Sequence, residues 1–384
     1  MNDMNKAQRI LLIAPNIPQL YVAIEFIKKM KTCIPNAKFI ISSRDKYQSF
    51  ISEDINIKLV GLFPEFVKQI NKEEVTCIVF IGHSYFLDRQ TVTWAANYSI
   101  CVCWIHAHFE KTDLMNWIQD KTYAKKLIHT FDLLFYENPE DLYQLQRIGF
   151  SSNQLHFVKN AKYDCAYPTK EQILRAQYII HRIGAMHKKI IVAGSVANGL
   201  ENKFLLETFS DLHKKFPDVV LVLAPRIMEH ISSFINEITV TELLFSRTSN
   251  LNFSNPQSSI LLVDQMGLLK GFYRWASIAF IGRTLVKKSG GGSNIMEPAS
   301  QSVPIIIGPH TNGISTVLQD FIKEDAILQL SKSSELLETF TFLLSHQRSA
   351  NTLGKNAYTL VQKYAGGLQK TASFITDRYL IPQL

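Results

Sequence analysis

The sequence predicts an α/β protein of two doubly wound, Rossmann-like domains, and three observations carry that prediction. The chain has 384 residues and is 46% hydrophobic, enough for about two domains of ordinary size, each with a substantial core. Apolar runs about as long as a buried strand alternate with longer segments of helical period. The series then restarts after a polar helix near the middle of the chain, as two βα units in succession require.

Residues 10–14, 38–42, 76–81, 100–105, 133–136 and 155–158 read as buried strands, since a parallel sheet covered on both faces demands continuous rather than alternating apolar residues. Between them, residues 20–31 and 113–129 carry helical periodicity, and Pro139 opens a further helix in its first turn. After the polar helix at 169–183, a second set of strands falls at 189–193, 219–224, 259–263, 278–281 and 304–307, and a closing helix spans 353–377. This divides the chain into an amino-terminal Rossmann-like domain at 1–165, a linker at 166–186, a carboxy-terminal Rossmann-like domain at 187–370, and a tail at 371–384 returning towards the first domain. A central cleft between the domains is the expected site. No fixed-period repeat is visible.

Composition sets outer bounds. Lys and Arg number 41 against 33 Asp and Glu, a formal charge of +8 that suits an anionic partner such as a phosphorylated substrate or membrane headgroups. Lys28, Lys29 and Lys31 cluster, as do Lys121, Lys125 and Lys126, but neither group is interleaved with aromatics as a nucleic-acid stacking platform would be. Nucleic acid is therefore not an expected partner. No stretch approaches the ~20 apolar residues of a transmembrane helix, and the first apolar run is too short for a signal peptide; a cytoplasmic address is expected. Five cysteines (Cys33, Cys77, Cys101, Cys103 and Cys165) are an odd count, read as reduced core thiols. The Cys-x-Cys at 101–103 lacks the second pair of a structural zinc site, so neither metal nor cofactor is expected.

Open α/β sheets bind ligands beyond the carboxyl ends of their strands, and polar residues gather there in the second half. Gly194 and Ser195 follow one strand, with Asn198, Gly199 and Glu201 behind them; Pro225 and Arg226 follow the next; Asp264, Gln265, Met266 and Gly267 follow a third. The densest cluster runs from Ser289 through Gly290, Gly291, Gly292, Ser293 and Asn294 to Glu297. Consecutive glycines let backbone N–H groups approach an anion, and a helix beginning near Asn294 would add its positive end. Glu297 just inside that helix suits sugar hydroxyls better than phosphate, so the cluster reads as a site for nucleotide phosphate plus ribose, with Arg226 adding a charge-assisted contact. The plainer alternative is a loop with Glu297 as a helix-start charge.

The series AGS at 193–195, LAPR at 223–226, VDQMG at 263–267, FIGRTLV at 280–286, GGSNIMEPA at 291–299 and PIIIGPHT at 304–311 resembles the 3-deoxy-D-manno-octulosonic acid (Kdo) transferases of lipopolysaccharide biosynthesis. ENPEDL at 137–142 and NAKYD at 160–164 begin the match. The resemblance implies a GT-B fold and an inverting glycosyltransferase that moves Kdo from CMP-Kdo to a lipid A precursor. It implies that Pro225, Arg226, Met266, Gly267, Asn294 and Glu297 hold the CMP moiety alongside Ser195, Gly291 and Gly292. Lys162 takes the place of the family's Lys in its Lys-Phe-Asp segment, and Ser293 stands where the family usually has His.

The first half departs further from the family. Its general base is a Glu ahead of the first helix, where this chain has Gln19, which can hold a hydroxyl but cannot take a proton near pH 7. The family's Glu-Thr-Glu falls at His83-Ser84-Tyr85, and its Ala-Arg at Ala107-His108. His83, His106 and His108 stand at neighbouring strand ends and are candidate proton acceptors, since imidazole titrates near neutrality; His-x-His also fits a metal pair, and ordinary hydrogen bonding is the third alternative. With no counterpart to the family's membrane anchor, contact with the inner face of the inner membrane is expected to be peripheral, through basic and apolar surface. The expected partners are a CMP-activated sugar donor, a lipid A-type or other anionic glycan acceptor, and the membrane surface. The runner-up is a catalytically degenerate relative that binds nucleotide or supports a partner subunit.

Overall fold

The computed structural model describes residues 8–44, 57–68, 70, 75–251 and 255–380. The chain separates into two units, Met1–Cys165 with Tyr364–Leu384, and Ala166–Lys363. In chain order the first contains β1 (Arg9–Ile13), α1 (Ile17–Cys33), β2 (Lys38–Ser42), β3 (Ile57–Val60), β4 (Cys77–His83), α2 (Arg89–Ala95), β5 (Cys101–His108), α3 (Lys111–Gln119), α4 (Lys121–Thr130), β6 (Leu133–Tyr136), α5 (Asp141–Ile148) and β7 (Leu155–Phe157). The second contains α6 (Lys170–Arg182), β8 (Lys189–Val196), α7 (Leu200–Lys215), β9 (Val219–Pro225), α8 (Ile231–Thr239), β10 (Phe245–Arg247), β11 (Ile260–Leu262) and α9 (Leu269–Tyr273). It continues with β12 (Ile278–Ile281), α10 (Met296–Ala299), β13 (Ile305–Ile307), α11 (Ser315–Lys323), β14 (Leu328–Gln329), α12 (Leu336–Ser345) and α13 (Gln347–Tyr364), after which α14 (Gly367–Ile375) belongs to the first unit.

Among the described residues each unit is a seven-stranded sheet, ordered β3-β2-β1-β4-β5-β6-β7 and β10-β11-β9-β8-β12-β13-β14, and every strand pair is parallel. The predicted doubly wound class is borne out. Successive strands are added outward in opposite directions from β1 and β4 in one sheet and from β8 and β12 in the other, the switch points at which such sheets open a crevice.

The reason for the fold lies in two-sided burial. In the first unit, Leu12, Val79 and Cys103 face α1 and α14 residues such as Phe26 and Leu368, while Leu11, Ile78 and Trp104 face Leu114, Leu127 and Leu145 of α3, α4 and α5. The second sheet is likewise enclosed, by α7, α8 and α12 through Phe209, Phe234 and Phe340 on one face and by α6 and α9 through Ile180 and Phe272 on the other. Among the described residues, no helix is long and apolar enough to cross a membrane.

Local polar groups corrected several expected boundaries. The helix expected at 113–129 is two helices, because Asp120 ends α3 and its carboxylate accepts from the Tyr123 N–H at 3.0 Å to start α4. Pro139 lies ahead of α5 rather than in its first turn. The segment 166–186 is no linker: Thr169 and Gln172 form a capping box, and α6 buries Ala176, Ile179 and Ile180 in the second unit's core.

The closing helix expected at 353–377 also breaks, at Gly366, whose φ of 98° turns the chain back to the first unit. That return occurs at Tyr364, not 371; of the expected tail, residues 381–384 lie outside the described residues. Asp164 fixes the turn, accepting from Gly366 N at 2.7 Å and Leu368 N at 3.0 Å. Asp164→Ala strands both donors and is expected to lower stability by about 1–2 kcal/mol, read as a lower urea midpoint with an unchanged denaturant slope.

Candidate functional site

At the first switch point, Asn16 caps α1 by accepting from the Gln19 N–H at 3.2 Å, which sets the Gln19 side chain against β4. Gly82 makes room for it: a Cβ there would lie 2.5 Å from Gln19 Cγ, and Gly82 O is held by the Trp104 indole at 2.9 Å. Gln19 is 2% exposed, and its Oε1 has no hydrogen-bond partner among the described residues. It stands beneath the site rather than on its surface.

His83 ends β4 and pairs in register with His108 of β5, next to a shift in the β4–β5 ladder. Strands β4 and β5 run past their expected ends, so all three histidines lie within strands. His106 takes a left-handed φ of 51°, which bends the strand, so the regular alternation expected of an extended chain does not hold there. Its ring still lies 4.6 Å from that of His108, edge-on, and the His83 ring stacks on His108 at 4.8 Å.

The residue that joins them is Glu137, directly after β6. Its Oε1 accepts from His106 Nδ1 at 2.7 Å and from the Ala161 N–H at 2.8 Å, and its Oε2 lies 2.8 Å from His108 Nε2, off the line of a good hydrogen bond. The sequence contained the signal, an acidic residue at a strand's carboxyl end, but its role was not anticipated. Burial pushes the Glu137 carboxyl up, yet the two histidines outweigh burial and hold it well below the usual range. Burial lowers His106 against the pull of Glu137, so a neutral His106 ring donates its Nδ1 proton to an ionised Glu137.

Burial first, then the charges of His108, His106 and Lys162, take His83 down to about 3, with Glu137 opposing. Lys162, on the turn Ala161–Tyr163, therefore belongs to this cluster. Asp141, pushed up by burial to about 6, borders it. His106, His108 and Glu137 are residue types that could bind a metal. However, contacts of 2.7 and 2.8 Å are hydrogen-bond spacing, shorter than the ~3.3 Å between donors on a tetrahedral ion. The trio reads as a proton network.

In the second unit, Ser195 has a left-handed φ of 58°, and its Oγ accepts from the Ser293 hydroxyl at 3.1 Å. Asn294 donates to Glu297 Oε1 at 3.1 Å and accepts from the Met296 N–H at 3.1 Å, while Lys270 stands 3.9 Å from Glu297. The helix thus begins at Met296, is four residues long, and lies past Asn294. Gly290, Gly291 and Gly292 all have positive φ, but the chain itself requires this. A Cβ on Gly290 would strike the Arg283 guanidinium, one on Gly291 would strike Gly313 N, and Gly292 N donates to Arg283 O at 2.9 Å. The glycine turn is a packed junction, and that N–H is not turned onto an anion.

Arg226 lies elsewhere on the same face. Its N–H is bound by Val196 O at 2.9 Å, and its side chain lines a pocket of about 340 Å³ with Arg283, Lys288, His230, Ser289 and Asn198. Asn294 and Glu297 are not among the residues lining this pocket, which gathers Arg226 with two further cations, Arg283 and Lys288. Arg283, whose place in FIGRTLV had no assigned role, adopts a φ of 66° and is clamped to Ser289 O at 2.9 Å and Gly290 O at 3.2 Å. Burial and the neighbouring Arg226 both lower its pKa.

Glu201, 1% exposed, takes N–H bonds from Ala197, Arg283, Thr284 and Leu285 at 2.6–2.9 Å and so sets the pocket wall. Pro225 is buried at the end of β9, whereas Met266 is half exposed. Gly267 O is tied to Gln172 of α6 at 2.9 Å, so the supposed linker positions this turn.

Two successive seven-stranded parallel sheets of this order give the fold of the GT-B class. A solved glycosyltransferase from Rickettsia africae is similar, with a TM-score of 0.63 and 12% identity over 97% of this chain and 98% of that one. Within that class, the resemblance to the Kdo transferases is borne out at the distance of a divergent relative. The chain is 28% identical over 224 residues to the 3-deoxy-D-manno-octulosonic acid transferase of Haemophilus influenzae, covering 58% of this chain and 51% of that protein. It is 29% identical over 221 residues to the protein of the same name from Aquifex aeolicus, covering 58% and 56%. The match spans about half the length of these relatives. No family model matches the chain.

His83 carries a pH test. A histidine whose folded pKa is about 3 binds protons less readily than the unfolded chain, near 6.5, so stability is full above 6.5 and falls as pH drops towards 3. The groups facing it are His108, His106, Lys162 and Glu137. In urea titrations from pH 7 to 4, His83→Gln is expected to lose less stability than the parent chain; equal slopes contradict the burial account.

Proposed function

We propose that the chain is an inverting glycosyltransferase that moves Kdo, or a related 2-keto sugar acid, from its CMP-activated form to a lipid A-type or other anionic glycan acceptor. The observation that carries this reading is the cationic pocket of Arg226, Arg283 and Lys288 at the strand ends, in a chain similar to proteins named Kdo transferase. Such a donor presents a phosphate and a carboxylate, and fixed guanidinium groups suit both.

In the reaction proposed, the acceptor hydroxyl gives its proton to His108 and its oxygen attacks the anomeric carbon. The bond from that carbon to the phosphate oxygen breaks, and CMP leaves with the electron pair. Cations at the donor pocket stabilise the leaving phosphate as charge develops. Among the four expected catalytic residues, Gln19 and His106 are buried, while His83 and His108 retain exposed surface. Glu137 Oε2 lies 2.8 Å from His108 Nε2, so a carboxylate charge stands beside the imidazole proposed as base. Action at the inner face of the inner membrane through peripheral contact completes the proposal.

Nucleotide competition tests the donor assignment. CMP is expected to raise the melting temperature more than UDP or GDP at equal concentration, and Arg226→Ala is expected to remove most of that rise. Turnover is followed as CMP release from CMP-Kdo with a lipid A precursor and related acceptors. His108→Gln should lower it by about 10²–10⁴-fold, the usual contribution of a general base, with the CMP-induced shift unchanged.

One observation favours a second reading, that of a nucleotide-binding relative without turnover: Gln19 is buried beneath the site and has no carboxylate. CMP stabilisation with no release from any acceptor supports this reading and rejects the transferase.

A further inference from the structure

We infer that Cys77, Cys101 and Cys103 form a binding site for a soft divalent d¹⁰ cation, of the class of Zn²⁺ and Cd²⁺, at the amino-terminal ends of β4 and β5. This inference is independent of the transferase reading, since the site lies at the opposite end of these strands from the histidines.

The parallel register sets Cys77 directly beside Cys101 and Val79 beside Cys103, so three of the chain's five cysteines converge on one face of the sheet. Their Sγ atoms all lie within 4.8 Å of one another, and those of Cys101 and Cys103 are 3.3 Å apart. A tetrahedral ion with ~2.3 Å metal–sulfur bonds holds its sulfurs about 3.8 Å apart, a spacing that lies within the 4.8 Å limit on all three pairs. Sequence spacing alone had argued against zinc, because Cys-x-Cys at 101–103 had no second pair; the fold brings in the missing thiol from the neighbouring strand. Thiolate sulfur selects d¹⁰ ions over the hard cations that oxygen ligands prefer.

Ligand charge favours a divalent ion. The three thiols are all free and buried, and each binds a metal as thiolate. A divalent cation offsets two of the three thiolate charges where a monovalent one offsets a single charge, and the smaller residual charge costs less in a dry core. Cys101, 7% exposed, leaves the cluster an edge towards solvent.

The test is a titration of the reduced, metal-free full chain with Cd²⁺ and then Zn²⁺. The expected result is one ion retained per chain through gel filtration. Sulfur-to-metal charge-transfer absorbance should correspond to three thiolates, and thiol protons should be released as the ion binds. Charge-transfer intensity separates this site from oxygen or imidazole binding elsewhere. Cys77→Ala and Cys103→Ala are each expected to weaken binding at least about tenfold, while Cys33→Ala binds as the parent does. Where a core variant fails to fold, thiolate count and proton release in the parent chain still decide. A folded parent chain that retains no ion, or that binds with no thiolate absorbance or no proton release, overturns the inference, as does full-affinity binding by a folded Cys77→Ala chain.

Discussion

A parallel sheet enclosed by helices on both faces leaves its strands no polar side, so polar chemistry must gather where the strands leave the sheet. Both units obey this constraint. Residues 77–81 of β4 and 219–225 of β9 are buried throughout, and the first polar groups able to meet one another stand at the carboxyl ends, beside each topological switch. His83, His106, His108 and Glu137 are neighbours because three strands stop at one level. Ser195 and Arg226 are close in the fold for the same reason.

Buried carboxylates organise each of these edges, and they do so in different ways. Glu201 is surrounded by four backbone N–H donors, so its charge is spent on holding the chain around Arg283 in a left-handed turn. Glu137 takes one backbone N–H and directs its remaining capacity at two imidazoles. The first carboxylate builds a wall for a cationic pocket. The second keeps a negative charge beside His106 and His108, where its pull opposes the burial that holds His106 neutral.

Local motifs also exchanged roles once packed. The glycines at 290–292 looked made for a ligand, yet their missing side chains accommodate Arg283 and the backbone at 312–313. Arg283, by contrast, looked incidental and proves to line the pocket with Arg226. The helix at 170–182, read as a connector for its polarity, buries one stripe in the core and anchors the Met266–Gly267 turn with the other. An amphipathic helix is polar on average while still packing tightly along one face.

The sequence by itself determined the fold class, most strands and the neighbourhoods of the polar residues, because continuous apolar runs and strand-end motifs are local properties of the chain. It also carried the family resemblance, through motifs such as LAPR and GGSNIMEPA. Short edge strands such as β3 and β10 were missed, since three or four half-buried residues give little periodicity. Only the tertiary structure decided that Glu137 joins His106 to His108, that Cys77 meets the pair at 101 and 103, and that Arg226 faces Arg283. These encounters depend on strand register and on ladder irregularities at His83 and Ala107. Register is set by packing across the whole sheet, so no stretch of sequence contains it.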